Sequence, residues 1–357
     1  MGCHQSVCRQ RWRTCRGTSW SNEGKAVNRV KKGITSKELA KLVGVSSATI
    51  SRAFSTSGRI SEQTRVRVLA MAQHYGYQPN AIARTLNNRR SRLVAVIVNA
   101  IGNQCEAEQL EVLVHRLQAR ALFAIILCCG DNTDRLQLMR LASTYQVDHA
   151  VIYSDLVSLK DAVQIFRTTW PIVVSAEPIE DTRVSCVRVD GSEAASQIID
   201  KLVGDGRGHF AYLYGRNSSW IDKQRREWFS SALARHALTF EAQGNGDYSY
   251  DSGFKETSLL LHRSEVDALV CGNDVMAIGA RDAAVRLLAR HVPRDLAIVG
   301  QDGIAMSGWK CHELTTIALD NVALVDAIVQ LIERHETSDG AAPTTVIKCT
   351  ARWGSTT

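Results

Sequence analysis

The first quarter of the sequence has very few acidic residues. Residues 1–92 contain three glutamates and no aspartate, and the first aspartate of the chain is Asp131. The same segment contains 18 lysines and arginines, so its formal charge is +15, whereas residues 93–357 have a formal charge of −8. A basic segment joined to an acidic globular part indicates a polyanionic partner, either nucleic acid or an anionic membrane surface.

The sequence also has no long apolar run. Its longest runs, at 93–98 and 122–129, have the length of a buried strand, whereas a membrane-spanning helix needs ~20 apolar residues. We therefore exclude a membrane partner. The ten cysteines include no CxxC pair, and no histidine stands at zinc-ligand spacing from them. We expect reduced, mostly buried thiols, a cytoplasmic protein, and neither metal nor cofactor.

Common catalytic signatures are absent as well. The sequence contains no Walker P-loop, GxSxG or HExxH pattern, and the glycine-rich segment 204–208 follows a predicted helix instead of a strand. We therefore expect no enzyme and no catalytic residue. Residues 1–33 lack the apolar core of a signal peptide and any helical period, so they are predicted to form a disordered basic extension.

Residues 34–78 are predicted to fold into three short helices. Thr35 and Glu38 have capping-box spacing at the start of the first helix, Ser46 is placed to cap the second, and Ser61 the third. The apolar residues expected to form a small core are Leu39, Ala40, Val45, Ile50, Ala53, Val66, Leu69 and Ala70.

The second helix is expected to point short polar groups and one cation outward. These residues are Ser46, Ser47, Ala48, Ser51 and Arg52. Such a surface suits a recognition helix, whose N-terminal side chains contact base edges in the major groove. The alternative at this point is a small helical domain whose polar face is only solvated.

Three motifs make the chain similar to the LacI/GalR (lactose and galactose repressor) family of transcriptional regulators. They are T-x-x-E-L-A-x-x-x-G-V-S-x-x-T-I-S-R at 35–52, S-x-x-T-R-x-R-V at 61–68 and Y-x-P-N-x-x-A-R-x-L at 77–86. The resemblance covers 34–352 and implies a helix-turn-helix head followed by a hinge helix and linker at 79–92. The DNA-binding residues it implies are Thr35, Ser46, Ser47, Ala48, Thr49, Ser51, Arg52, Asn80, Ala83 and Leu86.

The length of the predicted hinge helix also indicates when it can form. A helix as short as the segment after Asn80 is marginal alone in water, so we expect it to form only with a partner hinge and DNA. The resemblance implies that this helix lies in the minor groove and that Leu86 inserts between base pairs. Such an insertion kinks the duplex and costs a few kcal/mol, which the additional contacts must offset.

From residue 93 onward, apolar runs alternate with helical stretches, which is typical of parallel sheets covered on both faces. This pattern extends over more residues than one open sheet usually needs, so we expect two lobes. The resemblance implies a bilobed, periplasmic-binding-protein-like, doubly wound α/β core at 93–352. Its expected parts are lobe 1 at about 93–204 and 318–336, lobe 2 at about 205–317 and 337–352, and chain crossings near 203–208, 315–320 and 335–340.

Such a fold binds a small ligand between its lobes, beyond the carboxyl ends of the strands. The effector-binding residues that the resemblance implies are Arg225, Tyr248, Asn273 and Asp274, the last two in an N-D-x-M-A-x-G-A signature at 273–280. An arginine, a carboxylate and an aromatic ring suit a sugar-like or purine-like ligand. Taken alone, the same residues could be a solvated helix face, a packing residue and a helix cap.

Two stretches depart from the family pattern. Residues 103–106 read Asn-Gln-Cys-Glu where many relatives have Asn-Pro-Phe-Phe, and residues 300–303 read Gly-Gln-Asp-Gly in place of Gly-Phe-Asp-Asp. The sequence therefore does not predict which residues form one wall of the expected ligand cleft, and it does not identify the effector.

These expectations combine into a cytoplasmic transcriptional regulator, a repressor by resemblance. It would bind a palindromic double-stranded DNA operator as a homodimer, or as a tetramer, and respond to a carbohydrate or related metabolite. The alternative is a small-molecule binding protein of the transport type with the same lobes. That class would carry a signal peptide and no basic helical segment.

Overall fold

The structure is a computed structural model, and it describes residues 34–55, 59–79, 90–130, 134–153, 157–166, 169, 171–175, 184–216, 219–335 and 344–357. The chain divides into an N-terminal head, up to residue 83, and a core from residue 84 onward. The predicted extension at 1–33 lies outside the described residues, and so do Asn80, Ala83 and Leu86 of the predicted hinge.

The head consists of three helices, α1 (Ser36–Val43), α2 (Ser47–Ala53) and α3 (Glu62–His74). The predicted caps are confirmed. Thr35 Oγ1 accepts a hydrogen bond from the Glu38 amide at 3.3 Å, and the Glu38 carboxylate accepts one from the Thr35 amide at 2.7 Å. Ser46 and Ser61 cap α2 and α3 in the same way, each accepting from the amide three residues later.

The small core of the head confirms the prediction for the first two helices and corrects it for the third. Its buried residues are Leu39, Ala40, Val43, Ile50, Ala53, Val68 and Ala72. Val66 and Leu69 are instead 58% and 40% exposed, and Ala70 is exposed. The register of α3 is held by Arg65 and Arg67, whose guanidinium groups donate to carbonyls at the C-terminal ends of α2 and α1.

Lobe 1 of the core is a six-stranded parallel sheet in the order β11-β5-β4-β3-β1-β2. Its strands are β1 (Leu93–Val98), β2 (Phe123–Cys128), β3 (His149–Ile152), β4 (Pro171–Val174), β5 (Ser185–Asp190) and β11 (Thr344–Lys348). Its helices are α4 (Gln104–Gln118), α5 (Arg135–Thr144), α6 (Leu159–Ile165) and α11 (Asn321–His335). Separate apolar clusters fill the two faces of the sheet, one under α4 and α11 and one under α5 and α6.

Lobe 2 is a second six-stranded sheet in the order β12-β10-β9-β8-β6-β7, parallel except for β12. Its strands are β6 (Phe210–Tyr214), β7 (Phe240–Asn245), β8 (Ala268–Cys271), β9 (Ala297–Asp302), β10 (Thr315–Ala318) and β12 (Thr350–Arg352). Its helices are α7 (Ser192–Gly204), α8 (Trp220–Ala234), α9 (Tyr250–Leu261) and α10 (Asp274–Asp282), the last continuing into a π-helical turn at Ala283–Leu287. A 3-10 helix at Ala305–Gly308 follows β9. The two doubly wound lobes confirm the predicted fold class.

The chain passes between the lobes at three places, and two of them differ from the prediction. The first crossing is at 190–192, not 203–208, because α7 buries Ala195 and Ile198 in the lobe 2 cluster around Phe210. The third is at Cys349, not 335–340, because β11 pairs with β5 of lobe 1. The second, at 319–320, lies in the predicted interval. Lobe 1 is therefore 93–190 with 321–348, and lobe 2 is 192–318 with 350–357.

None of the helices in the described ranges combines the length and the apolar character that a membrane span requires.

Candidate DNA-contacting helix and ligand cleft

Helix α2 has one buried face and one exposed face. Ile50 and Ala53 pack into the core of the head. The exposed side chains of α2 are Ser47, Ala48, Ser51 and Arg52. Ser46, also exposed, accepts from the Thr49 amide at 3.1 Å, and the two hydroxyl oxygens lie 2.9 Å apart. Thr35 is exposed at the start of α1.

This arrangement can read DNA in the way that a recognition helix does. Short hydroxyl-bearing side chains allow the helix backbone to approach base edges, and Arg52 can donate two hydrogen bonds to a guanine. The N-terminal amides of α2 and its capping hydroxyl can contact phosphate. The structure brings Ser46, Ser47, Ala48, Ser51 and Arg52 together on one element, whereas Thr49 is half-buried behind them.

A cavity of about 480 Å³ lies between the two lobes of the core. It opens at the carboxyl ends of the strands of both sheets, which is the edge where ligands bind in doubly wound folds. The polar residues at strand ends that line it are Asn99, Tyr153 and Ser175 in lobe 1, and Arg216, Asn273 and Asp302 in lobe 2.

Arg225 of α8 lies in the cavity wall, as predicted from the family motif. Its Nη2 donates to Asp302 Oδ1 at 2.5 Å, and its Nη1 donates to the Gly272 carbonyl at 2.8 Å. The side chains of Arg225 and Asp302 are 18% and 6% exposed. Burial raises the pKa of Asp302, and the guanidinium of Arg225 opposes that shift. Asp302 also has a φ of 113°, a backbone conformation that is uncommon outside glycine.

Tyr248 and Asn273 line the same cavity. The Tyr248 ring packs directly on Gly215, where an added Cβ would lie 1.9 Å from the ring carbon Cε1. Asn273 Oδ1 accepts from the Met276 amide at 2.9 Å, and its Nδ2 donates to the Tyr248 carbonyl at 3.2 Å. Asn273 therefore caps α10 and positions Tyr248 at the same time, so a role as helix cap is compatible with ligand contact.

Asp274 is placed differently from the prediction. It is fully buried and is not one of the residues that line the cavity. Its Oδ1 accepts from the Thr316 hydroxyl at 2.6 Å, and its Oδ2 accepts from the Ile304 amide at 2.9 Å. Burial raises the pKa of Asp274 to about 7. This placement argues against direct contact with an effector, because the carboxylate joins the start of α10 to β10 and to the segment after β9.

Two tryptophans of α8 that lie outside the family motifs also line the cavity. Trp220 and Trp228 flank Gln224 at a spacing of four residues, which places all three on one side of the helix. The guanidinium carbon of Arg188, in β5 of lobe 1, lies 5.9 Å from the centre of the Trp220 ring. The i, i+4, i+8 pattern in the sequence is the signal that could have identified this wall.

The stretches that depart from the family pattern lie at the cavity too. In the first, Asn103 caps α4, and the Glu106 carboxylate accepts from the Asn99 and Ala100 amides at 3.2 and 3.4 Å. In the second, Gln301 and Asp302 end β9 and line the cavity. The wall of the cavity that could not be predicted from the sequence therefore contains polar and charged groups.

Comparison with known proteins gives two family matches. Residues 35–80 match the family described as bacterial regulatory proteins, lacI family, and residues 199–357 match a periplasmic binding protein-like domain. The chain is 29% identical to catabolite control protein A of Priestia megaterium over 80% of this chain and 87% of that protein. It is 28% identical to the HTH-type transcriptional repressor CytR of Escherichia coli, over 80% and 84%.

The fold is also that of a solved structure. The lac repressor dimer bound to operator and the anti-inducer ONPF superposes with a TM-score of 0.80, covering 91% of this chain and 99% of that chain. At 22% sequence identity, this likeness concerns the fold.

Proposed function

Because the chain belongs to the LacI/GalR family of transcriptional regulators, we propose that it represses transcription by binding a palindromic operator as a homodimer under the control of a small-molecule effector. Several relatives that match along most of the chain are described as HTH-type transcriptional regulators or repressors, which supports this function over that of a transport-type binding protein. On this proposal the protein is cytoplasmic and is not an enzyme.

The observation that carries the proposal is the exposed polar face of α2. Its serines and Arg52 face away from the core of the head, within the segment that matches the lacI family. We assign residues 34–78 to DNA binding and residues 79–92 to a hinge. Contacts by Asn80, Ala83 and Leu86 stay predictions from the family resemblance. Two heads on a two-fold dimer fit an inverted repeat, because each recognition helix then meets an equivalent half-site.

The interlobe cavity supports control by a ligand. Its volume of about 480 Å³ is in the range of small-molecule sites, and its walls combine aromatic side chains with the Arg225–Asp302 ion pair. The matching lac repressor structure was solved with an operator and a small-molecule anti-inducer. A sugar-like or purine-like effector fits such walls, since aromatic faces can stack on a ring while polar groups bind its substituents.

A change in the angle between the lobes can be transmitted to the hinge through the residues at the start of lobe 1. Asp148 Oδ1 accepts from the amide and hydroxyl of Ser91, at 2.9 and 3.1 Å, and its Oδ2 accepts from the Arg92 amide at 2.8 Å. The chain that leaves the hinge is thus fixed to the N-terminal end of β3. A ligand that changes the angle between the lobes would change the separation of the two linkers in a dimer, and marginal hinge helices would form or melt accordingly.

Selection of duplex DNA from a random pool by the full-length protein tests this function. We expect an enriched inverted repeat, and we expect Arg52→Ala to weaken binding of the selected DNA by roughly tenfold or more. Arg263→Ala, which removes an exposed arginine of the core, is the matched control and should bind as tightly as the unaltered chain. No enrichment, or equal affinities for Arg52→Ala and the control, would contradict the proposal.

A further inference from the structure

The two stretches that depart from the family pattern contact each other across the cleft. The first begins α4 in lobe 1, and the second ends β9 in lobe 2. Burial raises the pKa of Asp302, in the second stretch, and a hydrogen bond from the Cys105 thiol, in the first, opposes that shift. One turn further along α4, Glu108 Oε1 accepts from the Ala305 amide at 3.0 Å. The family motifs do not account for these contacts between the lobes, because they lie in or beside the stretches where the chain departs from the pattern.

The Ala305 amide is presented by a turn that is fixed to lobe 2. Within this turn, residues 302–305, the Ile304 amide donates to the buried carboxylate of Asp274 at 2.9 Å. The guanidinium of Arg352, in β12, donates to the Ile304 carbonyl at 3.1 Å. Charge-assisted hydrogen bonds thus restrain the turn through both a donor and an acceptor of its backbone. The Ala305 amide therefore moves with lobe 2.

The carboxylate of Glu108 is held in a similar way by lobe 1. The Gln104 side chain, one turn earlier on α4, donates to Oε1 at 3.2 Å, and Asn321 Nδ2 lies 3.5 Å from Oε2. Asn321 begins α11, directly after the second crossing, and its Oδ1 accepts from Gln109 Nε2 at 3.1 Å. The hydrogen bond from Ala305 to Glu108 thus joins two groups that each belong firmly to one lobe. A change of lobe angle that moves α4 away from the turn must break it.

We propose that Glu108 is a latch between the lobes, a positioning residue that holds them at this angle through a bond within the chain itself. The latch deepens the proposed function and rests on it, because the lobe angle controls DNA binding only in a regulator. A hydrogen bond to a charged group favours the state that contains it by about tenfold or more. A ligand that favours another lobe angle must overcome this bias, whereas one that favours the same angle adds to it.

Pulsed electron paramagnetic resonance on the full-length protein tests the latch. Nitroxide labels on a non-canonical amino acid at Gln330, in α11 of lobe 1, and at Arg263 of lobe 2 report the separation of the lobes, since both positions are exposed. An excess of unlabelled chain keeps labelled subunits from pairing in a dimer. We expect one narrow distance distribution for the otherwise unaltered chain. Glu108→Ala should add a second population at another distance, because the bond that opposes lobe motion is lost.

Two matched variants separate the latch from a general effect on α4. Glu108→Gln keeps an oxygen of the same reach that can accept from the Ala305 amide, so it should keep the distribution of the unaltered chain. Glu111→Ala removes an exposed carboxylate one turn further along the same helix and should keep it as well. An unchanged distribution in Glu108→Ala, or the same second population in Glu111→Ala, overturns the proposal.

Affinity for the selected DNA tests whether the latch acts on the heads. Glu108 lies outside the segment that matches the lacI family, so a purely local role in lobe 1 would leave the Kd unchanged. Glu108→Ala should change the Kd by about threefold or more in fluorescence anisotropy, whereas Glu108→Gln and Glu111→Ala should not. A second distance population without any change in Kd would overturn the regulatory role of the latch.

Failure of this inference can be distinguished from failure of the proposed function. The distances are measured without DNA, so they decide whether Glu108 holds the lobes whatever the protein binds. An unaltered chain that selects no DNA contradicts the proposed function. A chain that selects DNA and shows the same distances and the same Kd in Glu108→Ala contradicts only the latch.

Discussion

Asp274 belongs to the family signature, yet its side chain serves the internal structure of lobe 2. Its carboxylate is fully buried, and burial, followed by the nearby charge of Asp302, raises its pKa to about 7. Hydrogen bonds from the Thr316 hydroxyl and the Ile304 amide oppose that shift. A carboxyl group that titrates near neutrality inside the fold makes the stability of the protein depend on pH.

The sign of that dependence can be tested with Asp274→Asn. An unfolded aspartate has a pKa of about 3.9, so between about pH 4 and pH 7 the folded state holds a proton that the unfolded state has lost. The stabilisation from Asp274 is therefore complete below about pH 4 and is lost as the pH rises through 7. The asparagine does not titrate, so the free energy of unfolding of the variant, relative to the unaltered chain, should rise from pH 5 to pH 8.

Urea unfolding at both pH values measures this difference. The variant should be less stable than the unaltered chain at pH 5, because an asparagine has only one oxygen to accept from both the Thr316 hydroxyl and the Ile304 amide. Asp251→Asn, at an exposed position of α9, is the control and should show the same difference at both pH values. An equal difference at pH 5 and pH 8 for Asp274→Asn would contradict the buried, titrating carboxyl.

At the scale of single elements, two equivalent helix caps in the head allow an effect on stability to be distinguished from an effect on DNA binding. Ser46 and Ser61 cap α2 and α3 with the same geometry, each accepting from the amide of a threonine three residues later and lying within 2.9 Å of its hydroxyl. Replacing either cap by alanine should cost ~1 kcal/mol of helix stability. Only Ser46 lies on the proposed recognition helix.

Ser46→Ala should therefore lower the affinity for selected DNA more than Ser61→Ala does, at a similar loss of stability. Fluorescence anisotropy with the selected duplex measures the affinity, and circular dichroism of the full chain measures helix unfolding. A larger loss of DNA affinity in Ser61→Ala would move the DNA-binding surface from α2 to the start of α3.

Strands buried on both faces could be predicted from the sequence, and others could not. β1, β3, β4, β6 and β8 are continuous or nearly continuous apolar runs, the pattern from which parallel sheets were predicted, and so is the edge strand β2. β5 mixes apolar and charged residues, and β7, β11 and β12 lie at sheet edges with polar side chains, so none gives that signal. β10 is interior but begins with Thr315 and Thr316, whose hydroxyls pair with Thr357 and Asp274. Partners about 40 residues away cannot be read from the strand itself.

The cavity wall shows the same limit. Arg225, Tyr248 and Asn273 follow from the motifs of lobe 2 and lie in the wall. Tyr153 and Gln301 also line the wall and were not identified, because what they share is a position beside a cavity formed by two lobes. Such a property depends on packing between segments about 150 residues apart, which a sequence pattern does not contain.

At the scale of the whole molecule, the N-terminal part and the core have opposite charges, which favours DNA binding by the N-terminal part and not by the core. Residues 35–92 have ten basic and two acidic residues, a formal charge of +8, whereas residues 93–357 have a formal charge of −8. Some head cations are used internally, since Arg65 and Arg67 donate to carbonyls of α1 and α2. Exposed cations of the head such as Lys37, Lys41 and Arg52 can contact phosphates, so DNA binding should release counterions.

The basic head predicts that DNA binding depends strongly on salt. Affinity for the selected DNA should fall by about a thousandfold or more between about 50 and 200 mM salt, as for proteins that make several phosphate contacts. Fluorescence anisotropy with the selected duplex at a series of salt concentrations measures this change. A DNA affinity that is insensitive to salt would contradict the basic head as the contact surface.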